Sequence, residues 1–351
     1  MGTRLRPLTD RRPKPLLPFA NIPLTKHTVQ LLQEQGIDEF VFLLHHRPDD
    51  FPKLLGDGES LGCQIKYVSI SENLGTAGCV KFVEKEINES ALIFSADLIA
   101  DFNLNHMLQS HRQRGAQITI AIRPEPAPRA FGVVQADSRG RIIRFHEKPT
   151  QAELFSNWIN CGIYIVEPKF LKSFPSDKQL SFEREVFPYF AENRKPIYGF
   201  PLAGYWCDIG TPSSYLQAHE DFLDGKLPRI YYQTAQQRIS ANRNLLGARI
   251  RIDGSCHIEG SFIGDGCIIE KNADVRNSVI WEDVRIGNDA MLEKCIVANG
   301  VNIASGAKLL EQSIAVPSPE TLAGARVEQN LMNGASKLDR EFHQSAAIQA
   351  A

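Results

Sequence analysis

Residues 251–309 read RIDGSCHIEGSFIGDGCIIEKNADVRNSVIWEDVRIGNDAMLEKCIVANGVNIASGAKL. Aliphatic side chains recur at Ile252, Ile258, Ile263, Ile269, Val275, Ile280, Ile286, Leu292, Val297, Ile303 and Leu309, at intervals of 6, 5, 6, 6, 5, 6, 6, 5, 6 and 6. The pattern therefore closes every 17 residues. An α-helix repeats every ~3.6 residues and a strand every ~2, so neither produces it. A three-sided coil does. One aliphatic side chain per face points into a shared interior, and stacked coils supply the core that one coil lacks. Asp253-Gly254, Gly264-Asp265-Gly266 and Gly287-Asn288 suit the corners. The competing reading is a set of unrelated hairpins, which would have to generate ten such intervals by accident.

Upstream, the texture is different. Phe40–Leu44, Ala91–Ala96, Gln117–Arg123 and Asn160–Val166 read as buried strands, and Thr25–Gln35 and Gly75–Asn88 as helices. Strands separated by helices predict parallel crossovers in a doubly wound α/β sheet. Phe131–Ala136 and Arg141–Glu147, joined by Asp137-Ser-Arg-Gly140, read as a hairpin. The expected organisation is an α/β domain over 1–225, a polar linker over 226–245, the coil over 246–312 and a frayed Ser-, Gln- and Ala-rich tail over 313–351.

Bulk properties narrow the function. A formal charge of −2 offers no basic footprint for nucleic acid or an anionic membrane. No apolar run is long enough to span a bilayer. Met1 is followed at once by Gly2, Thr3 and Arg4, which is no signal-peptide pattern, so a cytoplasmic protein is expected. The seven cysteines show no C-x-x-C spacing. Cys256, Cys267 and Cys295 fall in the repeat and are expected to be reduced, buried thiols rather than a disulfide or metal cluster. His45 and His46 follow an apolar run and read as loop residues.

The chemistry begins at Gly2-Thr-Arg-Leu-Arg-Pro-Leu-Thr9, followed by Arg12-Pro-Lys-Pro-Leu-Leu-Pro18. A glycine beside a small hydroxyl residue lets backbone N–H groups approach phosphate oxygens. Arg4 can add charge-assisted bonds to a polyphosphate. Lys14 lies between prolines that restrict where its ammonium points. Each piece by itself also reads as a basic, proline-rich loop. Together they resemble the sugar-1-phosphate nucleotidyltransferase signature G-G-x-G-T-R-L-x-P-L-T-x-x-x-P-K-P. The resemblance continues, in order, through Glu72-Asn-Leu-Gly-Thr-Ala-Gly78, Asp97, Phe145-His-Glu-Lys-Pro149, Asn160-Cys-Gly162 and Trp206-Cys-Asp-Ile-Gly-Thr-Pro212. The repeat in turn resembles the hexapeptide repeat of left-handed β-helices.

The resemblance implies a Rossmann-like mixed-sheet catalytic domain followed by a left-handed parallel β-helix. It implies that a sugar 1-phosphate attacks the α-phosphorus of a nucleoside triphosphate, with Mg²⁺ as cofactor. Gly2, Thr3, Arg4, Lys14, Glu72, Gly75 and Thr76 would bind the nucleotide. Arg4, Lys14 and Lys148 would be catalytic. Gly132, Glu147, Lys148 and Asn160 would contact the sugar phosphate, and Asp97 and Asp208 would hold the metal. Each assignment has a plainer alternative: a capping or turn Asp, a solvated Glu-Lys pair, or helix packing at Gly75 and Gly78. The Glu72–Gly78 block looks most like guanylyl-transferring, mannose 1-phosphate members. Thymidylyl, uridylyl or adenylyl transfer to glucose 1-phosphate is the alternative, as is a non-catalytic nucleotide-sugar sensor. Acyl transfer by the β-helix would need an inserted loop with a catalytic histidine, and His257 stands alone. Homo- or hetero-oligomers through the β-helix are expected, with no nucleic acid or membrane partner.

The chain departs from the pattern twice. Ala96 precedes Asp97 where the family usually has glycine. The family's first strand and first two glycines are absent ahead of Met1. Three or four buried aliphatic side chains are worth about 5–12 kcal/mol, against about 5–15 kcal/mol for a whole domain. The expectation is that Met1 is an internal methionine and that the native chain extends upstream by roughly ten residues, one strand and a short loop. In-frame codons upstream of Met1 should encode them; a stop codon immediately before Met1 would overturn this.

Overall fold

The computed structural model describes residues 3–174, 179–233, 239–311 and 313–317. The chain divides into two compact units, one of Val29–Trp206 and one that joins Met1–Thr28 to Cys207–Ala351.

Two sheets lie wholly within the described residues of the Val29–Trp206 unit. β1 (Glu39–Leu44) and β2 (Gln64–Ser69) pair in parallel. The larger sheet contains β3 (Ala91–Phe94), β4 (Ile118–Pro124), β5 (Gly132–Ala136), β6 (Ile142–Glu147), β7 (Trp158–Val166) and β8 (Ile197–Pro201), in the order β8-β4-β7-β5-β6 with β3 also beside β7. The expected strands and the β5–β6 hairpin are present. The sheet is mixed, as the resemblance implies. β7 runs antiparallel to β3, β4 and β5, and only β8–β4 is parallel in this sheet. The β5–β6 hairpin reverses the chain between β4 and β7, and those neighbours run antiparallel. The sheet buries Ile118, Ile120, Val134, Tyr164 and Val166 against Phe170, Phe182, Phe187 and Phe190. The helix expected over Gly75–Asn88 is shorter: it ends at Phe82 and tightens into a 3₁₀ turn over Glu84–Glu86.

In the second unit the repeat forms a three-sided parallel β-helix. One face stacks Leu245–Leu246, Phe262–Ile263, Val279–Ile280, Ile296–Val297 and Ile314–Ala315. The second stacks Arg251–Ile252, Ile268–Ile269, Arg285–Ile286 and Asn302–Ile303, and the third His257–Glu259, Asp274–Arg276, Met291–Glu293 and Lys308–Leu309. Registers such as Ile252↔Ile269↔Ile286↔Ile303 place the same residue type on each level. The interior is aliphatic, with Cys267 and Cys295 buried in it and their thiol pKa values pushed up by burial to about 11 and about 12. No disulfide forms among the described residues. One corner is a hydroxyl ladder. Ser278 N–H donates to Ser261 Oγ at 3.1 Å and Cys295 N–H to Ser278 Oγ at 3.2 Å, which satisfies backbone that the turn leaves unpaired.

Two details differ from the simple repeat. Ile252 is 36% exposed, because no described strand stacks before Arg251–Ile252 on its face. At the other end Val297 pairs with Ala315, eighteen residues on, so the last coil is one residue longer than the others. That insertion is why the regular spacing fades near residue 313.

The N-terminal residues of this unit form tight turns. Thr3–Leu5 and Lys14–Leu16 are 3₁₀ turns around the short helix Leu8–Arg11, and Leu5, Leu8, Leu16 and Leu17 are buried. Pro18–Phe19 and Ile22–Pro23 form a hairpin whose turn residues Ala20 and Asn21 both have positive φ, as a type I′ turn demands. Helix Pro212–Leu223 starts at Thr211, whose hydroxyl accepts from Ser214 N–H. No described helix is long and apolar enough to cross a membrane.

Leu292 is fully buried at the centre of the coil. Leu292→Ala should cost about 2–5 kcal/mol of unfolding free energy in a denaturant titration. Ile252→Ala, at the exposed end, should cost less than about 1.5 kcal/mol. Equal costs would argue against a single stacked core.

Candidate active site

In the unit that contains the N-terminus, two cations meet one carboxylate. Lys14 Nζ lies 3.2 Å from Asp208 Oδ1 and Arg4 Nη2 lies 3.9 Å from Asp208 Oδ2. The backbone makes this possible. Leu16 N–H donates to Pro13 C=O at 2.8 Å and Leu17 N–H to Lys14 C=O at 3.1 Å, so the Pro-Lys-Pro text folds into a turn anchored by buried leucines. Gly210 keeps the space open: a Cβ there would lie 2.9 Å from Arg4 Nη2 and 3.1 Å from both Asp208 carboxylate oxygens. Lys14 retains only 12% side-chain exposure, while Arg4 retains 51%. A half-exposed guanidinium next to a sheltered ammonium is a pair of cations that a polyphosphate can bind. Gly2 lies outside the described residues.

The other unit gathers the remaining candidates around a break in β7. On one side β7 pairs β5 at Trp158 and Ile159, then β3 from Ile163 to Val166. On its β4 side the register shifts between Asn160 and Tyr164. Asn160, Cys161 and Gly162 therefore bulge where two neighbouring strands change over. Gly162 takes φ +73°, and a Cβ there would sit 2.9 Å from Ser95 Oγ. Asn160 Oδ1 accepts from Gly162 N–H at 2.8 Å, and its Nδ2 donates to Tyr164 Oη at 2.8 Å. Tyr164 Oη donates onward to Glu183 Oε1 at 3.2 Å. Glu183 Oε2 accepts from Thr76 Oγ1 and Ser181 Oγ, each at 2.7 Å.

Glu147 stands across the β5–β6 pair from Gly132. A Cβ on Gly132 would lie 2.5 Å from Phe145 Cζ and 2.8 Å from Glu147 Oε2, so only glycine leaves the carboxylate this position. Burial raises the Glu147 pKa, Lys148 offsets part of that, and the Glu183 charge adds to it. Lys148 Nζ is 3.6 Å from Glu147 Oε1, and Lys148 is held at φ +51° with its N–H bonded to Phe131 C=O. Asn160 still has one amide proton to donate, since its second N–H and its carbonyl oxygen are the groups already engaged.

The structure thus brings Arg4, Lys14 and Asp208 together in one unit. In the other, Asn160 and Thr76 join one network through Glu183, and Gly132, Glu147 and Lys148 form a second group. Glu72 is exposed in the loop before Gly75 and is not part of that network. Gly75, at φ +75°, lets Leu180 C=O approach; a Cβ would lie 2.4 Å from that oxygen. The packing alternative therefore holds for Gly75. Asp97 is half-buried in the turn after β3. Among the described residues no three His, Cys, Asp or Glu side chains form a metal cage. Asp97 and Asp208 each carry hard carboxylate oxygens, the donor type that Mg²⁺ prefers. Tyr164 and Glu183 were missed by the sequence reading. Ser181-Phe-Glu-Arg-Glu185 looks like the polar start of a helix, and Ser181 does cap one, accepting from Glu183 N–H and Arg184 N–H.

Comparison with known proteins decides the family. Residues 1–225 match the family model described as nucleotidyl transferase. The chain belongs to this family. Residues 231–318 match the family model described as the EIF2B subunit epsilon left-handed β-helix domain, so the coil is left-handed, while the match over 1–225 gives the first domain the Rossmann-like nucleotidyltransferase fold. The chain is 32% identical over 301 residues to a mannose-1-phosphate guanylyltransferase of Mycobacterium tuberculosis, covering 84% of this chain and 80% of that one. It is 30% identical over 322 residues to a UTP–glucose-1-phosphate uridylyltransferase of Synechocystis, covering 83% of each. It is 34% identical over 273 residues to a mannose-1-phosphate guanylyltransferase catalytic subunit beta of Drosophila pseudoobscura, covering 76% of this chain and 69% of that one. The protein is a sugar-1-phosphate nucleotidyltransferase, an enzyme of a family that uses a divalent metal.

The raised Glu147 pKa has a testable sign. A carboxyl whose folded pKa lies above its ordinary 4.5 contributes stability that is full below 4.5 and lost as pH rises through the folded value. Glu147→Gln should therefore melt higher than the parent protein at neutral pH, and the gap should close as the pH falls toward 4.5. Its activity should fall. A parent protein that melts higher at neutral pH would contradict the assignment.

Proposed function

We propose that the chain transfers a guanylyl group from GTP to mannose 1-phosphate, giving GDP-mannose and pyrophosphate. The observation that carries the phosphate chemistry is the convergence of Arg4 and Lys14 on Asp208. Guanylyl and mannose are supported by the Glu72–Gly78 text and by the names of relatives at 32% and 34% identity.

Arg4 and Lys14 bind the β- and γ-phosphates and neutralise charge that develops on the leaving pyrophosphate. Lys148 draws the sugar phosphate in, and the sheltered Glu147 accepts hydrogen bonds from sugar hydroxyls. Asn160 donates its remaining amide proton to the sugar. An oxygen of the sugar phosphate then forms a bond to the α-phosphorus as the bond from that phosphorus to the bridging oxygen breaks. The electron pair leaves with pyrophosphate, and no protein nucleophile is required. Catalysis is positioning and charge neutralisation. Asp97 and Asp208 are the carboxylates the motif blocks offer to a divalent cation, and Mg²⁺ would supply further neutralisation when bound. The β-helix serves assembly with copies of itself or a related subunit, a role supported by the stacked parallel coil and by the subunit name of the Drosophila relative.

Uridylyl transfer to glucose 1-phosphate is the second reading, favoured by the Synechocystis relative. Pyrophosphate release from a matrix of nucleoside triphosphates and sugar 1-phosphates separates the two. GTP with mannose 1-phosphate should give the highest kcat/KM, by at least about tenfold. A maximum at UTP with glucose 1-phosphate would replace this reading with the second, and no release from any pair would remove both.

A further inference from the structure

The segment that carries Lys14 is pinned to the β-helix of its own unit at both ends. At the front, the Arg12 guanidinium lies over the Trp281 ring, 5.3 Å from its centroid, and Arg12 Nη1 is 3.5 Å from Glu282 Oε1. In the middle, Tyr215 Oη donates to Pro18 C=O and accepts from Trp281 Nε1 at 3.3 Å. At the back, Asn21 Nδ2 donates to Ile263 C=O at 2.9 Å. Trp281 and Glu282 follow directly on the strand Val279–Ile280, at a corner of the coil. The corner is packed by the coil before it: a Cβ on Gly264 would lie 2.6 Å from the Trp281 carbonyl carbon and 2.7 Å from Glu282 N.

The Glu282 carboxylate is a poor choice if stability is its purpose. Its Oε2 is buried and has no hydrogen-bond partner. Arg12 is the one described cation within ion-pair distance of it. The Glu282 side chain as a whole keeps 38% exposure, and a pair so open to solvent adds little stability to offset the unpaired oxygen. Arg12, in turn, is separated from Lys14 only by Pro13, whose ring fixes φ, here at −51°. A shift at Arg12 is therefore passed to Lys14 rather than absorbed between them.

We infer that Glu282 and Trp281 of the β-helix are positioning residues for nucleotidyl transfer. They hold Arg12, and through Pro13 they set where the Lys14 ammonium meets the triphosphate. The β-helix then helps to shape the nucleotide loop in addition to any role in assembly. This rests on the assignment of Lys14 to the triphosphate.

The test uses the full chain with Arg12→Gln, Glu282→Gln, the double variant, and the exchange Arg12→Glu with Glu282→Arg. Each single variant should raise KM for the nucleoside triphosphate about 3- to 10-fold, and the double should be no worse than the worse single, as for two residues acting as one unit. KM for the sugar 1-phosphate should not move, and the exchange should recover part of the loss. A second readout is independent of turnover. Without nucleotide, Lys14 should be acylated faster by an amine-directed reagent in Glu282→Gln than in the parent chain, as read by mass spectrometry of the peptide. Additive effects, equal rises in both KM values, or a lower melting temperature with unchanged KM and Lys14 reactivity would overturn the inference. If no substrate pair is turned over, the proposed activity fails, while the Lys14 acylation rate still decides whether the corner controls the loop.

Discussion

The Tyr215 hydroxyl is the joint on which the candidate nucleotide loop depends. Tyr215 and Trp281 are almost wholly buried, and burial pushes the Tyr215 phenol pKa far up, so the hydroxyl stays protonated and donates. It ties the Pro18 carbonyl to the helix Pro212–Leu223 and, through Trp281, to a coil of the β-helix. Around it His219 Nε2 accepts from Ala20 N–H, and Phe19 packs edge-on against His219 and Phe222. Burial holds His219 near a pKa of about 3, so its ring is a neutral acceptor. A polar group in such a setting is costly unless bonded. These groups are bonded, and the result is a loop fixed by a dry, aromatic seat rather than by its own short turns.

The Val29–Trp206 unit solves a different problem. A regular sheet would fill the space at Asn160–Gly162 with ladder hydrogen bonds. Here β7 exchanges β5 for β3 on one side and slips register against β4 on the other. The freed backbone is satisfied by the Asn160 side chain, and the network then runs through Tyr164 to Glu183 and Thr76. Around this break glycine is required at Gly162, for its positive φ and its closeness to Ser95, and at Gly132, for clearance of Phe145 and the Glu147 carboxylate. The Glu147 carboxylate that Gly132 admits is destabilised by burial, a cost expected where a group is kept for binding.

Much of this was legible in the residues. The 17-residue period dictates a three-sided coil, because only one stacking arrangement gives every inward position an aliphatic neighbour above and below. The ordered motif blocks named the family's chemistry, since the residues that touch phosphate are short, local and rich in glycine and proline. Strand direction was less legible. An apolar run looks the same whichever way its neighbour points, so the antiparallel setting of β7 could not be read from its side chains. The longer last coil was hidden for a similar reason: one inserted residue erases a period without erasing the fold.

What the sequence by itself determined is what rests on local spacing: the coil, the strands, the hairpin and the roster of phosphate- and sugar-binding candidates. Only the tertiary structure decided which distant residues meet. Asp208 as the shared partner of Arg4 and Lys14, Glu183 as the end of the Asn160 network, and Glu282 as the partner of Arg12 all join residues far apart along the chain. A carboxylate reads as solvated charge in a sequence because most are. A fixed neighbour sets these carboxylates apart from solvated charge, and that is a property of the packed chain.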